Sequence, residues 1–269
     1  MAGKKREIPR FDQPMIETHC HLDYLQQRDT AETLQRTRAV NVERLITIAV
    51  SASNLAKVRE IAASFADVYA TQGVHPHEAD AYDARVETKI LAGLDDPKVL
   101  AVGEIGLDYY YEHSDRNTQR RIFAKQLTLA ADRGLPVVIH TREADADTRA
   151  VLSEFAPVLE RKGVIHSFTS SPELAEFCLD AGFYLGFNGI ITFKNADNVR
   201  DVLAMAPVTR ILLETDAPYL TPVPYRGREN APFYLPFVAE KIAMVKDTPI
   251  DTLLETIYQS SLSLFFPDD

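Results

Sequence analysis

Apolar residues along this chain gather in short, β-branched runs separated by longer stretches of helical periodicity. Eight runs stand out: Met15–His21, Arg44–Val50, Val68–Val74, Val99–Ile105, Pro136–His140, Gly163–His166, Phe183–Phe187 and Ile211–Glu214. Runs of this length, bounded by turn or helix signals, predict buried strands. Between them, Arg116–Arg133 places Phe123, Leu127 and Ala130 on one face, and Gly134 is suited to end that helix. Ser53 is placed to cap a helix running to about Phe65, and Ser171 with Pro172 reads as an N-cap and first-turn pair. Ile250–Phe265 predicts a closing helix. Strand–helix alternation implies a parallel sheet. Eight units in 269 residues predict an α/β fold, a single-domain (β/α)8 or TIM-type barrel. A doubly wound open sheet is the weaker alternative, because no G-x-G-x-x-G loop follows a strand. Residues 1–12 read as a flexible arm and 13–269 as the barrel. The proline-rich stretch Ala217–Pro236 reads as a long, partly rigid loop after the eighth strand.

Composition supports a folded enzyme-sized domain: 46% of residues are hydrophobic. No stretch approaches the ~18 apolar residues of a membrane span. The basic N-terminus is not followed by an apolar segment, so no secretory signal and no membrane association are expected. Only Cys20 and Cys178 occur, which fits a reducing cytoplasm rather than a disulfide framework. The net charge of −10 argues against non-specific coating of nucleic acid. A nucleic-acid substrate stays open, since bound cations invert the field of an acidic cleft. Monomer and small homo-oligomer are both compatible with the sequence.

The candidate chemistry lies at the strand ends. Of seven histidines, His19, His21, His75, His77, His140 and His166 fall at or just past predicted strands, and only His113 lies in an ordinary loop. The C-terminal ends of barrel strands converge on one face, where active sites sit. His19 and His21 flank Cys20, so alternation predicts both imidazoles on one face and Cys20 outward, as packing. Glu104 ends a long apolar run between glycines, and its two oxygens can bridge two cations. His140 and His166 each follow an apolar strand. Neutral imidazole is the commonest metal ligand, although one such histidine alone is more often structural. Asp216 sits where it can accept a proton from an attacking water while touching a metal. Glu214, two residues earlier, is expected to buttress a ligand histidine. Of His75 and His77, one is expected to bind substrate or donate a proton; a loop-fixing role is the alternative.

The segments ETHCHLD, GVHPHEA, AVGEIGLDYY, LPVVIHTREA, VIHSFTSS, LLETDAPYL and the AEKIA helix together resemble the TatD family of metal-dependent hydrolases, from about Pro14 to Phe266. The resemblance implies two divalent metal ions (Zn2+, Mn2+ or Mg2+). His19, His21 and Asp216 would hold one, His140 and His166 the other, with Glu104 bridging. It implies a metal-activated water and a deoxyribonuclease acting on single-stranded DNA or 3′ ends. His75 would lie near the scissile phosphate, and Arg142, Arg226 and Arg228 would meet phosphates alongside His77. Glu17 stands where the family usually has aspartate. Ser167, Ser170–Ser171, the 224–230 loop and Ser260, Ser261 and Ser263 also depart from the family pattern. The residues alone leave open an amide, ester or lactone hydrolase, or a catalytically silent binding barrel.

Overall fold

A computed structural model describes residues 6–267. Eight strands form one parallel sheet in sequence order. They are β1 (Met15–Cys20), β2 (Val42–Thr47), β3 (Val68–Gln72), β4 (Val99–Asp108), β5 (Val137–Arg142), β6 (Gly163–Ile165), β7 (Tyr184–Phe187) and β8 (Ile211–Leu213). The sheet closes where Asp216 N donates to the His19 carbonyl at 2.9 Å and His21 N to the Ala217 carbonyl at 2.7 Å. The helices are α1 (Thr30–Ala39), α2 (Leu55–Ser64), α3 (Ala84–Leu94), α4 (Arg116–Arg133), α5 (Asp145–Phe155), α6 (Pro172–Asp180), α7 (Asp197–Met205), α8 (Leu235–Lys246) and α9 (Ile250–Phe265). This is the expected (β/α)8 barrel. No helix among the described residues is long and apolar enough to cross a membrane.

Two apolar layers hold it together. The larger lies between strands and helices and includes Leu45, Ile139, Leu185, Phe123 and Leu127. The smaller fills the lower barrel with Ile16, Ile46, Ala101, Val138, Val164, Tyr184 and Leu212, capped by Leu264 and Phe265 of α9 and by Phe266 just after it. Above that plug the interior turns polar.

Two β-bulges make that change possible. Ile16 faces the lower core while His19, three residues on, faces the upper site. Strict alternation would send them to opposite faces. The register of β1 against β2 shifts between Glu17 and Cys20, which absorbs the extra residue. On β4, Ala101 and Glu104 are also three apart, and the register shifts between Gly103 and Ile105. Bulges next to active sites characteristically re-aim a side chain.

Several boundaries differ from the sequence reading. β4 extends to Asp108 instead of stopping at Ile105, because Gly106 pairs with His140 at φ 139°. Any Cβ there would collide with the His140 carbonyl, so this glycine continues the strand rather than ending it. The second helix begins after Asn54, not Ser53, and the Asn54 side chain instead accepts from Val50 N and Ser51 N. Within the proline-rich stretch, a 3-10 turn occupies Pro232–Tyr234 and α8 begins at Leu235. Of the expected arm, residues 1–5 lie outside the described residues. Residues 6–12 form no regular element, yet Arg6 pairs with Glu240 at 2.6 Å and Phe11 packs on the core.

Candidate metal centre

The C-terminal rim gathers the predicted side chains. His19 Nε2 lies 3.4 Å from Glu104 Oε2 and 3.7 Å from Asp216 Oδ1. His21 Nε2 lies 3.4 Å from Asp216 Oδ1. Glu104 Oε1 faces His140 Nδ1 at 3.1 Å and His166 Nε2 at 3.4 Å. The His19 and His166 rings stack at 3.6 Å. His21, Glu104, His140, His166 and Asp216 line a cavity of about 850 Å³.

A carboxylate behind the far nitrogen, hydrogen-bonded to His140 and at ion-pair distance from His166, sets which nitrogen faces the cavity. His140 Nε2 meets Asp108 Oδ2 at 3.0 Å, so it carries the proton and Nδ1 turns its lone pair toward Glu104. His166 Nδ1 lies 3.2 Å from Glu214 Oε1, which leaves Nε2 facing inward. Carboxylates placed behind histidines in this way orient and strengthen metal ligands. His75 is set the other way. Its Nδ1 accepts from His77 N at 3.2 Å, so the neutral ring carries its proton on Nε2, 3.6 Å from Glu104 Oε1. His75, Glu104 and His140 are close enough to hold a cation, but this tautomer makes His75 a donor rather than a ligand.

Burial and charge set the protonation states. Burial opposes ionisation of Glu104, yet the surrounding His166, His75, His140 and His19 hold it well below the usual carboxylate range. Burial likewise opposes ionisation of Asp216, and His21 and His166 override it. Burial and neighbouring His140 keep His75 well below the ordinary imidazole value, hence neutral. Burial alone would lower His166, but Glu214 and Glu104 push it up to about 10.

The residues fit metal binding. Neither ring nitrogen of His19, which is 1% exposed, has a hydrogen-bond partner, and neither has His21 Nδ1. A buried imidazole left unpaired is costly unless something else takes its lone pair. His19, His21 and Glu104 place ligand atoms within reach of one ion. Asp216 completes that set, and His140 and His166 face the other oxygen of Glu104.

The remaining predicted contacts divide. His75, His77 and Arg142 line the cavity. His77 Nε2 is engaged by Asp108 Oδ2 at 2.9 Å. Arg226 and Arg228 are not brought to the cavity. Arg226 lies over Phe193 in an adjoining cleft, and Arg228 lies over Tyr225. The backbone swings this loop away from the metal cluster, a displacement that spacing alone does not reveal.

Sequence reasoning passed over three residues. Asp108 is 1% exposed and joins His77 to His140. It lies four residues beyond Glu104, an even spacing that was available as a signal. Asn188 follows β7 as His140 follows the apolar part of β5, and its Nδ2 donates to Glu214 Oε1 at 3.2 Å and Ser167 Oγ at 2.8 Å. Asn230 is fully buried and its Nδ2 donates to the Thr215 and Tyr219 carbonyls, clamping the loop that carries Asp216. The departures find places too. Glu17 Oε1 accepts from His19 N at 3.0 Å and Thr215 N at 2.9 Å, and burial pushes its carboxyl up to about 8. Ser167 N donates to Glu214 Oε1 at 2.6 Å, and Ser171 caps α6.

A parallel eight-strand barrel with imidazoles and carboxylates converging on its C-terminal rim is the architecture of a metal-dependent hydrolase. The family model for TatD-related DNases matches residues 16–266. The chain is 36% identical over 256 residues to the uncharacterized metal-dependent hydrolase YabD of Bacillus subtilis, covering 93% of this chain and 98% of that one. It is 36% identical over 259 residues to the uncharacterized metal-dependent hydrolase YcfH of Escherichia coli K12, covering 94% and 96%. The crystal structure of the TatD homolog YjjV from Escherichia coli K12 superposes with a TM-score of 0.88 at 31% identity, covering 93% and 97%. The chain belongs to the TatD family of metal-dependent hydrolases.

Proposed function

We propose that this protein is a phosphodiesterase that uses two divalent cations, with single-stranded DNA or 3′ ends as its substrate. The observation that carries this reading is the pairing of a metal-ligating cluster with Arg142. This guanidinium is half-buried at the cavity wall and makes no ion pair among the described residues. An anionic substrate satisfies it; a neutral ester or lactone does not.

His19, His21 and Asp216 would hold one cation and His140 and His166 the other, with Glu104 between them. Bound divalent cations stabilise charge on phosphoryl oxygens and acidify an attacking water. Asp216, ionised and at the cavity mouth, takes the proton of that water. His75 donates its Nε2–H to a phosphate or leaving oxygen. Arg142 orients the adjoining phosphate. Nitrogen-rich ligation favours zinc, manganese, cobalt or nickel over magnesium.

The test is cleavage of an end-labelled single strand by metal-loaded protein, with chelated protein as control and an aryl ester and a lactone as competing substrates. The reading expects metal-dependent shortening of the strand and little turnover of the neutral substrates. The reverse pattern would assign the site to carbonyl chemistry.

A further inference from the structure

Aromatic rings that the metal chemistry does not use stand at one wall of the cavity, which Tyr111 lines and Tyr110 adjoins in sequence. Tyr110 and Tyr111 are 52% and 51% exposed, on the loop that follows β4. Arg142 lies over both rings, 4.0 Å from the Tyr110 centroid and 4.8 Å from that of Tyr111. His113 stacks on Tyr111 with centroids 5.8 Å apart and planes at 13°. This loop is held in place. Tyr110 N and Tyr111 N donate to Asp108 Oδ1 at 3.0 and 2.9 Å, while Asp108 Oδ2 takes His77 and His140. One buried carboxylate therefore fixes the tyrosines relative to a metal ligand.

We propose that Tyr110 and Tyr111, whose rings stand at 90° to each other, form with the Arg142 guanidinium an aromatic corner that takes the base next to the scissile phosphate by stacking on one ring and edge contact with the other. The proposal rests on the nuclease reading. A phosphate at the cluster brings its own nucleoside to this wall. Half-exposed rings with a flat cation beside them match how single strands are held without sequence choice. The charge is also complementary: Arg142 is a cation without a carboxylate partner among the described residues, placed where the strand's phosphates would run. On the opposite side Tyr219 is 52% exposed, but it stands next to Asp216 with no cation over it among the described residues.

The test is fluorescence anisotropy of two labelled strands of equal length on the metal-loaded full chain. One carries bases throughout, the other is abasic at its end, and phosphorothioate linkages block cleavage of both. The wild type is expected to favour the base-bearing strand about ten-fold, within the range that base–aromatic stacking gives. Tyr110→Ala/Tyr111→Ala should bring that ratio close to one, and Tyr111→Phe should keep it. No preference in the wild type, an unchanged ratio in the double alanine variant, or a ratio lost only in Tyr219→Ala would each overturn the proposal. Cleavage of unblocked strands is read separately. A base preference without cleavage contradicts the nuclease reading and leaves the aromatic corner standing.

Discussion

At the scale of single residues, what lies behind each side chain governs the chemistry in front of it. Asp108 and Glu214 turn one nitrogen of His140 and of His166 inward, while the His77 backbone makes His75 a donor. Asp216 stands three residues past β8 with φ 57°, an uncommon conformation for a residue other than glycine that the surrounding structure must impose. Asp216→Asn removes the proton acceptor but keeps the shape. Turnover should fall by about a thousand-fold or more, with the melting temperature within a few degrees of wild type. Near-normal turnover of a confirmed substrate would remove Asp216 from its role. Glu17 gives a structural counterpart. Its neutral carboxyl satisfies two buried N–H groups, so Glu17→Gln should be tolerated in the metal-free protein. Glu17→Ala orphans both donors and should cost about 2–6 kcal/mol, from roughly 1–3 kcal/mol per group. Denaturant unfolding of the two variants distinguishes them, and equal losses would contradict this account.

At the scale of elements, the sequence was most legible where one periodicity ran undisturbed. α4 and α9 occupy the predicted ranges, and all eight strands lie where apolar runs predict them, because their alternation with helices leaves few other solutions. It was least legible where the chain breaks its own period. The bulges of β1 and β4 are invisible to an alternating pattern, yet they bring His19 and Glu104 over the core. The ligand set was readable because titratable residues after apolar runs stand out. Asp108 was hidden behind Gly106, which looked like a strand end, and Asn188 and Asn230 do not titrate. An ion pair at the opposite end of the barrel gives an element-scale test. Arg38 of α1 holds Asp67 through two bonds of 2.7 and 2.6 Å. Burial would raise the Asp67 carboxyl, but Arg38 holds it below its ordinary value. A depressed acid contributes stability above its unfolded value, near about 3.9, and loses it as pH falls through the folded value. Asp67→Asn should therefore cost under about 1 kcal/mol at pH 7, since the pair is partly exposed. The gap to wild type should close below about pH 4. A gap constant between pH 7 and pH 3, measured by urea unfolding, would contradict that assignment.

At the scale of the whole molecule, the barrel is divided between a dry lower plug sealed by Phe265 and Phe266 and a polar upper rim. The plug fixes the strands so that distant residues meet; the rim accepts the charge. Loading the rim with cations must displace protons. His166, raised to about 10 by Glu214 and Glu104, carries one at neutral pH when no cation is present. Metal affinity should then rise with pH through the neutral range, by about ten-fold per unit from this proton alone. Calorimetric titration in two buffers of different ionisation enthalpy counts the protons released. A pH-independent affinity would contradict the displacement of a proton from His166. The most direct measurement is an anomalous-scattering map from crystals soaked in manganese. It should show two peaks at the rim, one bounded by His19, His21 and Asp216, the other by His140 and His166, with Glu104 between them. A map with no peak there, or with ions bound only elsewhere, would contradict the account.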